Sequence, residues 1–254
     1  MEAISGLAAG VESSLGVGAN FAQVLTWLVI FFLGYLVLQL LQGLSKGGLT
    51  GRRSRGSAVL LFGQPGAGKT ALFFRLRDQE EVQSVSSLKA LRDKISIQEL
   101  EGIGPLDVVD CPGHQRMKGK AADLIKEARC IVYLVDSEDK QRLKDVAEHL
   151  YELMTNPEVL ELHMPILLAF NKIDLPSART EKFIVDEIER EIEMMRSSRG
   201  ATLEGQDQAD SYLGVDGEKF KLLEHAPCPV EICRVSVKQA ALGPVFDFLR
   251  QQFS

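Results

Sequence analysis

The first 45 residues contain no lysine or arginine, and no charge of either sign lies between Glu12 and Lys46. That absence excludes a cleaved secretory leader, which opens on a positive segment and has a short apolar core. It also excludes an ordinary amphipathic core helix, which needs a polar face. The four cysteines, Cys111, Cys130, Cys228 and Cys233, lack any metal-ligand spacing. They are expected as reduced thiols in a cytosolic compartment, filling core positions. Basic charge is not in excess either: the net charge is -6, so no direct nucleic-acid binding is expected. Threonine is missing between Thr70 and Thr155.

Within the uncharged stretch, Val24 to Leu41 reads VLTWLVIFFLGYLVLQLL, with only Thr26 and Gln39 polar. A single transmembrane helix is expected over residues 21–41, with Trp27 near one end at headgroup level. Lys46, Arg52, Arg53 and Arg55 follow closely, which puts the C-terminal side in the cytosol. Residues 1–20 then form a non-cytosolic tail without a fold of its own. Residues 42–57, rich in Gly, Ser and Arg, read as a flexible basic linker able to touch anionic lipid. Residues 58–254 are long enough for one good-sized domain.

That domain opens on Gly63-Gln64-Pro65-Gly66-Ala67-Gly68-Lys69-Thr70, which fits G-x-x-x-x-G-K-[ST]. An apolar run, Ala58 to Phe62, precedes it, and Ala71 to Leu76 continues as the start of a helix. Strand, Gly-rich turn and helix start are the setting a phosphate-binding P-loop needs. The glycines let backbone N–H groups wrap a phosphate, and the helix N-terminus adds positive potential. Lys69 is placed to reach the β- and γ-phosphates, and the Thr70 hydroxyl to ligate Mg²⁺. The competing reading is a Gly-rich connection that matches by chance.

Two further clusters end apolar runs. Asp110-Cys111-Pro112-Gly113 fits D-x-x-G, where Asp110 would hold the Mg²⁺ shell through water and the Gly113 amide would meet the γ-phosphate. Asn171-Lys172-Ile173-Asp174 fits N-K-x-D. Asp174 can accept from the N1–H and 2-amino groups of guanine, which adenine does not offer. Lys172 would lie along the base plane, and Asn171 would tie this loop to the P-loop. Ser236-Val237-Lys238, after the last strand-like run, is similar to the S-A-K element whose backbone amides contact the guanine O6.

Between these motifs, the alternating run Lys94 to Leu100 and the run Leu106 to Asp110 read as an antiparallel hairpin. Cys130 to Asp136, Pro165 to Phe170 and Val230 to Val235 read as buried strands. Helical patterns cover Ala121–Ala128, Lys140–Leu153, Thr180–Arg196 and Val245–Phe253, the last with Pro244 in its first turn. On the third of these, Phe183, Ile184, Ile188, Ile192 and Met195 form a core-facing stripe. A polar, Gly-rich insertion spans about 197–229, with Phe220 to Glu224 as a short strand within it. The expected fold is α/β: a mostly parallel six-stranded sheet with helices on both faces.

P-loop, D-x-x-G, N-K-x-D and S-x-K stand in the order of the small GTPase G domain. With an N-terminal anchor, the form Asp110 to His114 and the insertion before the last strand, the chain resembles the beta-subunit family of the signal recognition particle receptor. That family's G domain is related to the Arf and Sar GTPases. The resemblance implies GTP or GDP with Mg²⁺ as cofactors and a single-pass place in the endoplasmic reticulum membrane. It implies a GTP-dependent contact with the N-terminal domain of the receptor's alpha subunit, with the translocon or the ribosome as further partners.

The sequence departs from the GTPase pattern twice. Switch I normally offers a threonine to Mg²⁺; here only Ser84, Ser86 or Ser87 could replace it, and spacing favours Ser86. The residue after D-x-x-G, usually a glutamine that positions water, is His114. His114 either orients the attacking water or sits exposed on the switch. Three functions follow: a GTP-dependent receptor subunit with slow or partner-stimulated hydrolysis, an Arf/Sar-like membrane GTPase that turns over alone in vesicle traffic, and a scaffold that binds no nucleotide.

Overall fold

Ala58–Gly63 forms the central strand β1, every residue of it buried. Such a continuous apolar run suits a strand covered on both faces, as parallel strands are. The computed structural model describes residues 55–79, 90–112, 120–202, 213–215 and 217–254, together with Trp27, Leu28, Phe31, Phe32 and Tyr35. Two compact units are present, Met1–Arg53 and Ser54–Ser254. In the first, the five described residues are helical and exposed. Most of the expected span over 21–41 lies outside the described residues, and among those described no helix is long and apolar enough to cross a membrane.

In the second unit, β1 leads into helix α1 (Lys69–Asp78), then strands β2 (Leu91–Ile95) and β3 (Leu106–Asp110). Helix α2 (Lys120–Glu127), strand β4 (Ala128–Asp136) and a 3₁₀ turn (Lys140–Arg142) follow. Next come helices α3 (Leu143–Met154) and α4 (Pro157–Glu161), strand β5 (Ile166–Asn171) and the long helix α5 (Glu181–Thr202). Helix α6 (Leu222–His225), strand β6 (Val230–Arg234) and helix α7 (Gly243–Phe253) complete the unit.

The six strands form one sheet in the order β2-β3-β1-β4-β5-β6. Only the β2–β3 pair is antiparallel, the expected hairpin; the rest are parallel. The chain leaves β1 toward β3 on one side and returns to β4 on the other. That reversal is a topological switch point, where a crevice opens at the carboxyl ends of the strands.

Side chains alternate across the sheet as the pleat requires. Leu60, Val109, Ile131, Tyr133, Leu168 and Phe170 meet α2 through α6 on one face. Val59, Leu61, Val108, Val132, Leu134 and Ala169 meet α1 and α7 on the other. All four cysteines are free and buried in these layers.

Three local differences from the sequence expectation stand out. The edge strand sits at Leu91–Ile95, not Lys94–Leu100, because Ile97 and Leu100 turn inward as core residues. Phe220 to Glu224 is not a strand: Leu222–His225 is a helical turn, and Glu189 of α5 accepts from the Leu222 N–H at 2.9 Å. Helix α5 continues to Thr202, into the segment read as an insertion. Within the insertion, Leu213, Phe220, Leu222 and Cys228 are buried.

Candidate functional site

The turn after β1 is built on glycine. Gly63 has φ +134° and would press a Cβ to 2.2 Å from the Leu134 carbonyl oxygen, so β1 and β4 meet there without a side chain between them. Gly68, at the N-cap of α1, has φ +102°. Both conformations lie where a Cβ is disfavoured. Between these points Gln64 and Ala67 are buried. Gln64 donates through Nε2 to the Arg142 carbonyl, and Arg142 Nη1 donates back to the Pro65 carbonyl at 2.7 Å. This reciprocal clasp fixes the outer side of the loop to the 3₁₀ turn.

Lys69, the first residue of α1, is buried and curls back over the loop. Its Nζ donates to the Gly63 carbonyl at 2.8 Å and to the Gln64 carbonyl at 2.7 Å. Burial pulls the ammonium below its ordinary pKa, while the nearby Asp110 and Cys111 push it back up. Thr70 Oγ1 donates to Asp110 Oδ2 at 2.6 Å, bringing the end of β3 to the start of α1. Burial raises the Asp110 pKa, opposed by that hydrogen bond and by Lys69. Asp110 Oδ1 is buried with no hydrogen-bond partner among the described residues.

A hydroxyl and a carboxylate side by side, with one carboxylate oxygen unpartnered, are hard oxygen donors of the kind Mg²⁺ takes directly or through water. Thr70 and Asp110 therefore fit a Mg²⁺ ion beside the P-loop. Gly113, His114 and Ser86 lie outside the described residues, as do Ser84 and Ser87.

The second half of the site hangs from β5 and β6. Asn171, buried, donates through Nδ2 to the Ala67 carbonyl at 2.8 Å and accepts at Oδ1 from the Val237 N–H at 3.0 Å. One amide thus joins the P-loop, the N-K-x-D loop and the S-x-K loop. Asp174 Oδ1 accepts from Ser236 Oγ at 2.6 Å. The Val237 N–H is committed to Asn171, so of the S-x-K amides expected at a base it is Lys238 that remains to be aimed. The Lys238 side chain is exposed.

Lys172 takes the left-handed conformation at φ 67° and its Nζ pairs with Asp136 Oδ2. Asp136 also accepts from the Glu138 N–H at 3.0 Å. Sequence motifs passed over Asp136 and Arg142. The available signal for Asp136 was its place: it ends β4 directly beside Asn171 in the sheet register. Arg142 carried no such signal: apart from the local Asp139, its partners are the Pro65 carbonyl and the Gln64 side-chain amide, both distant in sequence.

P-loop, Thr70–Asp110 pair and the Asn171–Asp174–Ser236 group all stand at the carboxyl ends of β1, β3, β5 and β6. Metal, phosphate and base would be held there in that order along the sheet edge. Among the described residues no cluster of three or more His, Cys, Asp and Glu could hold a metal ion.

A family model described as the signal recognition particle receptor beta subunit matches residues 54–226 of this chain. The signal recognition particle receptor subunit beta of Mus musculus is 33% identical over 192 residues, which are 74% of this chain and 71% of that protein. The solved structure of the mammalian SRP receptor superposes with a TM-score of 0.66 at 29% identity, covering 77% of this chain and 99% of that one. The receptor's SRb-GTP/SRX complex from Chaetomium thermophilum gives 0.58 at 17% identity, covering 76% and 99%; at that identity the likeness is one of fold.

Proposed function

Because this chain belongs to the signal recognition particle receptor beta subunit family, we propose that it is the receptor's membrane-anchored GTP-binding subunit. In this role it holds the N-terminal domain of the alpha subunit at the endoplasmic reticulum while GTP is bound. The observation that carries the proposal is the Asn171 side chain, which ties P-loop, N-K-x-D and S-x-K segments into one pocket wall. A phosphate-binding loop joined rigidly to a carboxylate suited to guanine is what a GTP site requires.

In this site the N–H groups between Gly63 and Thr70 cradle the phosphates, with Pro65 contributing no N–H of its own. Lys69 exchanges its two carbonyl partners for phosphate oxygens. Thr70 directly and Asp110 through water would hold Mg²⁺, which would supply charge neutralisation at the phosphates. Asp174 reads the N1–H and 2-amino edge of guanine, and Lys172 covers the base plane. Gly113 and Ser86 meet the γ-phosphate and the ion from the switches, and His114 orients water for slow or partner-stimulated hydrolysis. GTP holds the switches, about residues 80–90 and 110–120, in a form that grips the alpha subunit. A neighbour of the same fold is named as a complex of its GTP form with SRX, which supports this mode. The uncharged run before Lys46 supplies the anchor.

The test is to purify the full chain in detergent, denature it, and identify the released nucleotide by ion-exchange chromatography. Intact GTP is expected. Released GDP would instead favour an Arf-type enzyme that turns over unaided, and an adenine nucleotide would overturn the guanine assignment. Lys69→Ala and Asp174→Asn are expected to abolish capture of the alpha subunit; unchanged capture would make the chain a nucleotide-free scaffold.

A further inference from the structure

Arg75 lies on α1, one turn and a half beyond the P-loop lysine, and does not face the phosphates. Its guanidinium reaches across to the loop after β6. Nε donates to the Val237 carbonyl at 3.3 Å and Nη2 to the Lys238 carbonyl at 2.9 Å. The third branch, Nη1, donates to the Gln79 carbonyl at 3.1 Å, where α1 ends in a left-handed C-cap. All three nitrogens of the fork are thus engaged, two on the S-x-K loop and one on its own helix end.

The consequence follows from peptide geometry. In a trans peptide the C=O and the next residue's N–H point in opposite directions, and no cis peptide is present among the described residues. By holding the Val237 carbonyl, Arg75 aims the Lys238 N–H away from itself. The Val237 carbonyl also accepts from the Ala240 N–H at 3.3 Å, and the Gln239 N–H donates to Ser236 Oγ at 3.1 Å, so the loop's own bonds are internal and Arg75 is what ties this peptide to α1. Ser236 and Ala241 close it with an isolated bridge, Ala240 sits at φ 56°, and the Val237 N–H is taken by Asn171. A cation bonded to a carbonyl also polarises that peptide, which strengthens its N–H as a donor.

We propose that Arg75 is a positioning residue for base recognition, holding the Val237–Lys238 peptide so that the Lys238 N–H meets the O6 of guanine. The inference rests on the guanine site proposed above and adds to it a specificity residue outside the four motifs. Lysine in its place would keep the charge but lose the fork that grips two carbonyls together.

The experiment measures dissociation of a fluorescent GDP from the full chain in detergent, and competition by GDP, IDP and 6-thio-GDP. IDP lacks the 2-amino group read by Asp174; 6-thio-GDP keeps that group and N1–H but replaces O6 with sulfur, a weaker acceptor. Arg75→Ala is expected to speed dissociation about tenfold, the size of one charge-assisted hydrogen bond. It should collapse the preference for GDP over 6-thio-GDP while leaving the preference over IDP intact. Arg75→Lys should fall between. Faster release with both preferences unchanged would make Arg75 a structural residue and overturn the proposal, as would unchanged release. A wild-type chain that does not prefer GDP over IDP would overturn the guanine site itself, and this inference with it.

Discussion

A Cβ added to Gly68 would lie 2.3 Å from the Nδ2 atom of Asn171. The same Nδ2 donates to the Ala67 carbonyl at 2.8 Å, and the amide's Oδ1 accepts from the Val237 N–H. The end of β5 therefore grips the P-loop through a residue that allows no side chain at the point of contact. The P-loop and the loops after β5 and β6 are one packed unit.

Gly68→Ala should break that unit. The substitution forces an alanine into φ +102°, at a strain of about 1–3 kcal/mol, and displaces an amide with two buried partners. Melting is expected to fall by roughly 3–10 °C for a domain of this size. GTP affinity should fall more than tenfold, as read by nucleotide titration and calorimetry. A variant that melts normally and binds GTP normally would show that Asn171 does not brace the loop.

The motifs were legible in the sequence because their chemistry is largely local. Gly63, Gly68 and Lys69 work through the backbone they themselves shape, and Asn171 and Asp174 end a strand whose apolar run is plain. The sheet was legible for the same reason: β1, β4 and β5 are buried runs of strand length. What stayed hidden depends on partners distant in the chain. Leu222–His225 forms a helical turn because Glu189, on another helix, accepts its Leu222 N–H. The edge strand slipped to Leu91–Ile95 because Arg92 pairs across it with Asp107, while Ile97 and Leu100 serve the core. Alternation alone does not tell an edge strand from a turn with two inward residues.

Arg196 shows how the segment after α5 is secured. Its side chain is 1% exposed. It donates to Glu193 Oε2 at 2.7 Å, to the Glu218 carbonyl at 3.0 Å and to the Val215 carbonyl at 2.6 Å, and it lies over the Phe220 ring. Arg196→Ala leaves the Glu218 and Val215 carbonyls without their donor and empties a buried volume, while Glu193 keeps the Phe220 N–H, so a loss of about 2–4 kcal/mol is expected from urea unfolding. Arg196→Met, which fills the space without a charge, should lose clearly less. Equal losses in the two variants would mean that the charged network, which both remove, and not the filled volume, holds the segment.

The thiols give the pH dependence. Burial pushes Cys130 and Cys233 up to about 12 and Cys228 up to about 11. The folded state thus keeps protons that the unfolded state releases near pH 9. This contribution to stability is complete below about pH 9 and is lost as pH rises through about 11 to 12. Urea midpoints should hold from pH 7 to pH 9 and then drop. Iodoacetamide at pH 8 should label the thiols only on unfolding. If Cys130→Ala and Cys228→Ala leave the alkaline drop unchanged, the thiols do not cause it.

Asp136 and Lys172 supply the last test. Asp136 ends β4 and Lys172 directly follows the end of neighbouring β5, and their side chains pair within the site, with the Lys172 backbone at φ 67°. Lys172 is half-buried and would slide its methylenes along a guanine ring only if its ammonium is held at one end. Asp136 holds that end, and the Glu138 N–H holds Asp136 in turn. Removing the carboxylate releases a long side chain whose ordering then falls on nucleotide binding, a cost of about 1–2 kcal/mol. Asp136→Ala should therefore weaken GTP and GDP alike by roughly fivefold to thirtyfold, with the preference for guanine over hypoxanthine unchanged, since the carboxylate proposed to read the 2-amino group, Asp174, is left in place. Asp136→Asn keeps an acceptor without the charge and should lose less. Isothermal titration of GDP and IDP against the three proteins decides the matter: a change confined to one base would assign Asp136 to base recognition, and no change would remove Lys172 from the base plane.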